Sequence, residues 1–388
     1  MTKYKSITFF GGLNPLRFFA ALLVLMHHSE AIKYKNGLPN LEWLGLFRNG
    51  NNAVTFFFVL SGFLITYLLL KESFKTGTVS IKTFYIKRML RIWPLYFLLV
   101  LIGTILLPFA FHVLKVDYTM PYTFGQTWFY FLFFLPGLVT FFFGHHLLEP
   151  LWSIGVEEVF YLIWAPLFKG LKHRILVVLL AVIAIKILLT LLSMYAIHNE
   201  LFAYVVSIFQ FESMAIGGLG AYFLFYHGEK LQQLALFKKP VQVIVYFTLA
   251  VYLVFHANID NAVWNIVFKT PAISALFINF LFLYLILDVS SVDNGILKIK
   301  SRLLSTFGEI SYGIYMYHML VIFTIILFLK KYLAQMNPVL SNIVFYLVVI
   351  PAVLLVSYLS KKYFENYFLN LKAKLEKRSN QGKLEKAS

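Results

Sequence analysis

Not one of the 388 residues is cysteine, which excludes thiol nucleophiles, disulfides and thiolate metal sites. Charge is scarce as well. Only 13% of residues are Asp, Glu, Lys or Arg, about half of the ~25% usual in soluble domains, so an ordinary globular surface is excluded. Acidic residues are rarer still, 17 against 34 Lys and Arg, for a net charge of +17. Such an excess can signal nucleic acid. Here the basic residues sit in short stretches between apolar runs, where they orient spans and meet anionic headgroups. Membrane lipid is therefore the expected partner and nucleic acid is not. The first apolar run lacks a small-residue cleavage site, so it reads as a first span rather than a removable leader.

What the chain has in abundance is apolar length: 60% of residues are hydrophobic and 19% aromatic. Runs near 20 residues recur throughout, each long enough to cross a bilayer as a helix. They predict an all-α, polytopic transmembrane bundle of about ten spans: 13–30, 53–70, 92–111, 152–168, 175–195, 202–226, 241–256, 272–287, 308–329 and 341–359. The segment 126–143 is long enough to span but carries Pro136-Gly137 at its middle. Charge bias decides its place. If Lys3 and Lys5 are inside, then Lys71, Lys75, Lys82, Lys87 and Arg88 are too. Lys169, Lys172 and Arg174 join them only if one crossing, not two, lies between 111 and 169. The segment is therefore expected to be re-entrant or interfacial on the outer side, with both chain termini cytoplasmic; Lys330-Lys331 is the one basic pair out of place. A membrane domain is expected over 1–369 and a basic cytoplasmic tail over 370–388.

Several spans carry polar residues that stability alone does not require. In the first, Asn14 reads as an N-cap with Pro15 after it. Arg17 and His28 are eleven residues apart, so they lie within roughly 20° of one helix face and about 16 Å apart along it. As a purely structural pair, Arg17 would snorkel and His28 would sit at the interface. Intramembrane ionisable groups more often face a cavity or mark a site, and histidine is the usual general base. The Ser61-Gly62 pair in the second span suits close helix packing. Arg88 and Arg91, i and i+3 on one face, are either positive-inside anchors or a clamp for phosphates. In the stretch from Trp152 and Ser153 to Tyr161, Glu157 and Glu158 enter an apolar helix about 100° apart. They are placed at the outer end, near the depth of His28. His318 sits within the ninth span, where it could simply hydrogen-bond across helices.

Two other groupings carry less. His112 and Asp117 have an acyltransferase-like His-x4-Asp spacing without suitable flanks. His145, His146 and Glu149 resemble metal ligands, but no second cluster completes a site, so no metal is expected.

Taken in order, these stretches resemble the acyltransferase-3 family of integral membrane acyltransferases, over nearly the whole chain. Arg17 and His28 are similar to its Arg-x10-His motif, and the run from Phe57 to Ile65 to its Phe-Phe-x-Leu-Ser-Gly-Phe-Leu-Ile stretch. Arg88 to Tyr96 resembles its Arg-x-x-Arg-Ile-x-Pro-x-Tyr stretch. Trp152 to Tyr161 resembles its Trp-Ser-x-x-Val-Glu-x-x-Phe-Tyr motif, and Ser311 to His318 its Ser-Tyr-x-Ile-Tyr-x-x-His motif. Gly155 and Val159 depart from the commoner Ser and Gln, and were the positions expected to bear on substrate choice.

The resemblance implies transfer of an acyl group, by default acetyl, from cytosolic acyl-coenzyme A to a hydroxyl of a cell-surface carbohydrate, in the bacterial cytoplasmic membrane. Acetyl-CoA is then a co-substrate, and no resident cofactor is expected. Arg88 and Arg91, helped by Lys87, would hold its phosphates. His28 would act as base, or carry the acyl group transiently; Glu157 would orient the imidazole, and Arg17 would stabilise charge along the pantetheine arm. Ser61, Trp152, Ser153, Glu158 and His318 would contact substrate. The competing class is a sugar or glycan-lipid transporter, which would share the buried charges and span number. Against it, no internal symmetry is visible.

Overall fold

The computed structural model describes residues 3–116, 118–261, 264–266, 270–291, 295–297 and 299–371, and among these every regular element is helical. Helices α1 (Leu13–Lys35), α2 (Gly50–Thr76) and α3 (Ile81–Leu101) lead off, α3 passing through a π turn at Ile102–Leu106 into α4 (Leu107–Leu114). Two short helices follow, α5 (Phe124–Leu132) and α6 (Pro136–Phe143), then the long α7 (Leu151–Leu171) and α8 (Ile175–Tyr195). Next come α9 (Glu200–Ile208), α10 (Phe211–Gln233), α11 (Lys239–Phe255) and α12 (Pro271–Ser291). A short α13 (Arg302–Glu309) precedes α14 (Ser311–Gln335) and α15 (Pro338–Ser360). The last helical stretch runs on to Leu371. Of the tail expected over 370–388, residues 372–388 lie outside the described residues, as does Asp117.

Seven helical stretches among the described residues are long and apolar enough to cross a bilayer. One of them, Leu151–Tyr195, comprises α7 and α8 with a turn at Lys172–Arg174 between them. Helix α1 is not among the seven, because Asn14, Arg17, His27, His28 and Glu30 dilute its apolar run, and α11 has only 17 residues. The expected figure of ten is thus approximate. Large apolar side chains on α8 point outward, Val177 and Leu188 among them, as a lipid-facing helix requires.

At the centre, α2 and α10 touch backbone to backbone. A Cβ on Gly62 would lie 1.9 Å from the Met214 carbonyl oxygen, and one on Gly217 would lie 1.9 Å from that of Val59. Gly62 is therefore a packing residue. Around α2 the other helices fall into two groups. Helices α1, α3, α7 and α14 enclose a cavity against one face, and α8 to α12 enclose another against the opposite face.

Three expectations need correction. The span at 202–226 is broken at Phe209-Gln210, where the chain turns so that Gln210 accepts from Thr55 Oγ1 at 2.9 Å and Glu212 meets Lys186. The span expected from 308 begins only at Ser311, after the separate α13 capped by Ser301. Asn14 is not the N-cap of α1: the helix already starts at Leu13, and the Asn14 amide donates to Ser305 Oγ at 3.4 Å.

The segment 126–143 forms a hairpin of two helices. At nine and eight residues they are only about 12–14 Å long, too short to cross. Its tip is Phe134, at φ 57°, whose ring packs on Trp93 and Tyr96 with centroids 5.3 and 4.7 Å away. Gly155 admits this tip, since a Cβ there would lie 2.4 Å from the Phe134 carbonyl oxygen. Irregular backbone at membrane depth needs cover by protein, and at this tip Phe134 is half-buried against α3 and α7 while Phe133 stays exposed. The Gly155 departure therefore has a packing cause.

Candidate active site

Four of the five motif stretches converge outright on one cavity of ≈ 110 Å³, and the fifth reaches it through Arg17. α1 contributes Arg17, α2 Ser61, α3 Arg88 and Arg91, α7 Ser153 and Glu157, and α14 Ser311, Tyr312 and Tyr315. Glu157 is the carboxylate on this wall. It accepts from Tyr161 Oη at 3.1 Å, and Tyr161 shares a second hydrogen bond with Ser61. Arg88 lies over the rings of Phe84 and Tyr161, 5.7 and 5.9 Å from their centroids, and its Nε is buried without a partner. Arg17 feels the charges of Arg91 and Glu157 most strongly. Three guanidiniums thus surround one carboxylate in a site walled by apolar helices, a field suited to polyanions.

Glu158 points elsewhere. Trp93 Nε1 donates to its Oε2 at 2.8 Å, and it lines a separate cavity of ≈ 280 Å³ beside the hairpin tip, together with Val159. Trp152 packs on Phe58, ring centroids 5.9 Å apart, and does not line the motif cavity. Lys87 does not line it either.

At the Tyr315 end stands a pair of histidines. Tyr315 is fixed by its hydroxyl, which lies 2.7 Å from Ser153 Oγ and donates to the Pro150 carbonyl at 2.9 Å. Beyond it, His318 Nε2 lies 3.1 Å from His28 Nδ1. His318 Nδ1 is 2.5 Å from the Tyr315 carbonyl oxygen, and His28 Nδ1 is also 3.0 Å from that of Val24. These contacts assign the tautomers of the neutral rings. Carbonyl oxygens only accept, so His318 carries its proton on Nδ1 and offers a lone pair at Nε2. His28 must then donate from Nδ1, which leaves its Nε2 lone pair as the free basic nitrogen.

That network corrects the role expected for Glu157. His28 is held by His318 and the Val24 carbonyl, whereas Glu157 accepts from Tyr161. Glu157 lies one helical turn further from the histidines than Ser153, so it does not orient the imidazole. His318 and the Val24 carbonyl do. Tyr161 closed a quoted motif but was given no role, although its i, i+4 spacing from Glu157 on one helix was the available signal. Tyr315 and Tyr312 were inside a quoted motif but unassigned.

His145 and His146 are otherwise engaged. His146 is hydrogen-bonded to Tyr122 Oη at 3.1 Å and Thr140 Oγ1 at 3.3 Å, and His145 pairs with Glu149 at 2.8 Å. Burial, with His145 adding a smaller share, pushes the His146 pKa down to about 3. Among the described residues no three His, Cys, Asp or Glu side chains gather as metal ligands.

Comparison with known proteins came to the same place as the motifs. The family described as "Acyltransferase domain" matches residues 10–361. A Staphylococcus aureus strain COL protein named "Putative O-acetyltransferase SACOL0978" is 35% identical over 167 residues, 42% of this chain and 25% of that protein. "O-acetyltransferase OatA" of S. aureus strain NCTC 8325 is 30% identical over 180 residues, 45% of this chain and 27% of that protein. The match thus spans about a quarter of the length of these curated relatives. No solved structure matches the chain.

Proposed function

The chain belongs to this acyltransferase family, and we propose that it moves an acetyl group from cytosolic acetyl-CoA to a hydroxyl of a cell-envelope carbohydrate on the far side of the membrane. The acetyl group follows the names of the relatives. The direction follows the positive-inside bias, which makes the side bearing Lys71, Lys75, Lys172, Arg174 and Lys238 cytosolic, with both termini there. The membrane is then the bacterial cytoplasmic one.

One observation carries the proposal: a cavity with three guanidiniums is lined at one end by Tyr315, whose carbonyl holds His318 against His28, and the free nitrogen of His28 is Nε2. The coenzyme phosphates dock on Arg88 and Arg91, and the pantetheine arm extends along the cavity past Glu157. The axial offset of about 16 Å between Arg17 and His28 is on the scale of that arm. His28 Nε2 takes the acceptor hydroxyl proton as its oxygen bonds to the thioester carbon. The C–S bond breaks, and the imidazolium returns the proton to the departing thiolate. His318 positions His28 throughout.

The test uses membranes carrying the full chain, radiolabelled acetyl-CoA and envelope carbohydrate. Wild type moves label into carbohydrate. His28→Ala lowers the rate by about 10³-fold, within the range for a lost general base, with unaltered membrane insertion and thermal unfolding. Full activity in His28→Ala, or no labelled carbohydrate with wild type, overturns the proposal.

A further inference from the structure

A second cavity, of ≈ 390 Å³, lies against the face of α2 opposite the first, bounded by α8 to α12. No residue of the five motif stretches lines it. Its interior is polar all the same. Lys186 and Glu212 pair at 3.4 Å, and Lys186 Nζ also donates to the Val206 carbonyl at 2.7 Å. Thr55 donates to Gln210, and Asn52 Nδ2 donates to Asn49 Oδ1 at 2.8 Å. Asn279 is fully buried, and neither its amide nitrogen nor its amide oxygen has a hydrogen-bond partner.

A buried primary amide left wholly unmet is rare and costly, so the cavity is built to receive something. The chemistry of its walls narrows the choice. A phosphate would face Glu212, a cation would face Lys186, and an acyl tail would leave the Asn279 amide unmet. Hydroxyl groups both donate and accept, as Asn279, Gln210 and Thr55 do. A neutral, hydroxyl-rich ligand fits all of them, and the volume lies within the range of small-molecule sites.

The position adds the second half of the case. Its lining runs from Ser193 and Met194 late in α8 and Pro271 and Ala272 at the start of α12 inward to Asn279. Asn279 lies eight residues, about 12 Å, further in than Pro271. Asn52, two residues into α2, lines the same cavity. The first residue of α2, Gly50, abuts the neighbour of the proposed base: a Cβ there would lie 2.4 Å from His27 Cδ2. Asn52 and Gly50 thus tie this end of α2 to the cavity and to His27, whose ring centroid is 5.1 Å from that of His28.

We propose that this cavity is an acceptor subsite, which holds a neutral sugar unit of the carbohydrate while a nearby unit offers its hydroxyl to His28 across the end of α2. The assignment rests on the reading above that the acceptor is a carbohydrate. It makes Asn279, Gln210 and Thr55 determinants of acceptor choice.

The experiment is a binding measurement on the full chain in lipid nanodiscs without acetyl-CoA, by saturation-transfer NMR, with maltotriose and triacetylchitotriose as probes. At least one of the two binds wild type. Asn279→Leu weakens that binding at least tenfold and the near-isosteric Thr55→Val at least threefold, both with normal gel-filtration profiles. Absence of binding by both sugars, or unchanged binding in both cavity variants, overturns the subsite. If Asn279→Leu fails to fold, Thr55→Val decides. Acetyl transfer by a wild type that binds neither sugar removes this inference and leaves the function standing. Sugar binding without any acetyl transfer does the reverse.

Discussion

Two clusters of buried charge, both involving α1, are built on opposite plans. Near its end, Glu30 and Lys33 are almost completely buried and pair at 2.7 Å. Every charge there is met: Glu30 accepts from Tyr346 Oη and from the Leu41 amide, and Lys33 Nζ donates to Asn342 Oδ1. Lys33 also lies over the rings of Phe345 and Tyr346, 5.0 and 4.9 Å from their centroids. The cluster is neutral and closed, and it joins α1 to α15. Near the start of α1, Arg17 shares a cavity with Arg88, Arg91 and Glu157, three cations to one anion, with the Arg88 Nε unmatched. That cluster is unbalanced and faces open space. Buried charge in a membrane helix is therefore not a functional signal by itself. Imbalance beside a cavity is the better one.

The sharpest way to break this comparison is to neutralise one carboxylate in each cluster. Glu157→Gln should lower acetyl transfer by about 100-fold or more, the scale of a lost electrostatic contact in a preorganised site, and leave thermal unfolding unchanged. Glu30→Gln should do the opposite: it strands Lys33 and should cost about 3–5 kcal/mol of stability, with the turnover of the folded fraction preserved. A stability loss in the first and an activity loss in the second would reverse the assignment. The apolar double replacement Glu30→Leu with Lys33→Met should recover most of that stability, because no buried charge is left unpaired.

A smaller effect is expected from Arg88→Lys, which keeps the charge and loses the planar fork. The KM for acetyl-CoA should rise about tenfold, equivalent to ~1.5 kcal/mol for one hydrogen bond to a charged group, with kcat within a factor of three. An unchanged KM would remove Arg88 from the donor site.

The last test reads a pH slope outside the spans. His146 binds its proton less readily folded, with a pKa of about 3, than unfolded, near 6.5. Its stabilising share is thus complete above pH 6.5 and declines as pH falls toward 3. His146→Gln should flatten the stability–pH curve over that window, read as thermal unfolding at several pH values. An unaltered slope would show that His146 does not carry it.

Much of this was legible in the sequence, for identifiable reasons. Arg17, Ser61, Arg88, Arg91, Ser153 and Glu157 were all named in advance and all line one cavity, because motif residues on helices of known period can only converge in a bundle. The divergence of Glu157 and Glu158 followed from 100° per residue in the same way. What failed was depth. Counting from the ends of hydrophobic runs set Glu157 level with His28, but helices tilt and end at different heights, and a turn of error moved the carboxylate from the imidazole to the arginines. The His28–His318 contact joins residues 290 apart, and no local pattern encodes such a pairing. Trp152 and Lys87 do not line that cavity, because motif membership does not say which way a side chain faces. The polar cavity behind α2 was missed because Asn279, Gln210 and Thr55 are each unremarkable alone.

The glycine contact between α2 and α10 bears on how such a protein can diversify. With a Cβ on Gly62 or Gly217 falling 1.9 Å from a carbonyl oxygen of the facing helix, neither position tolerates any other residue without the helices parting. The partition between the two cavities is therefore fixed in place. Under the proposed assignments, new specificities are cut into the outer walls, on α3 and α7 for the donor and on α8 and α12 for the acceptor. Each set can then drift under selection without disturbing the other.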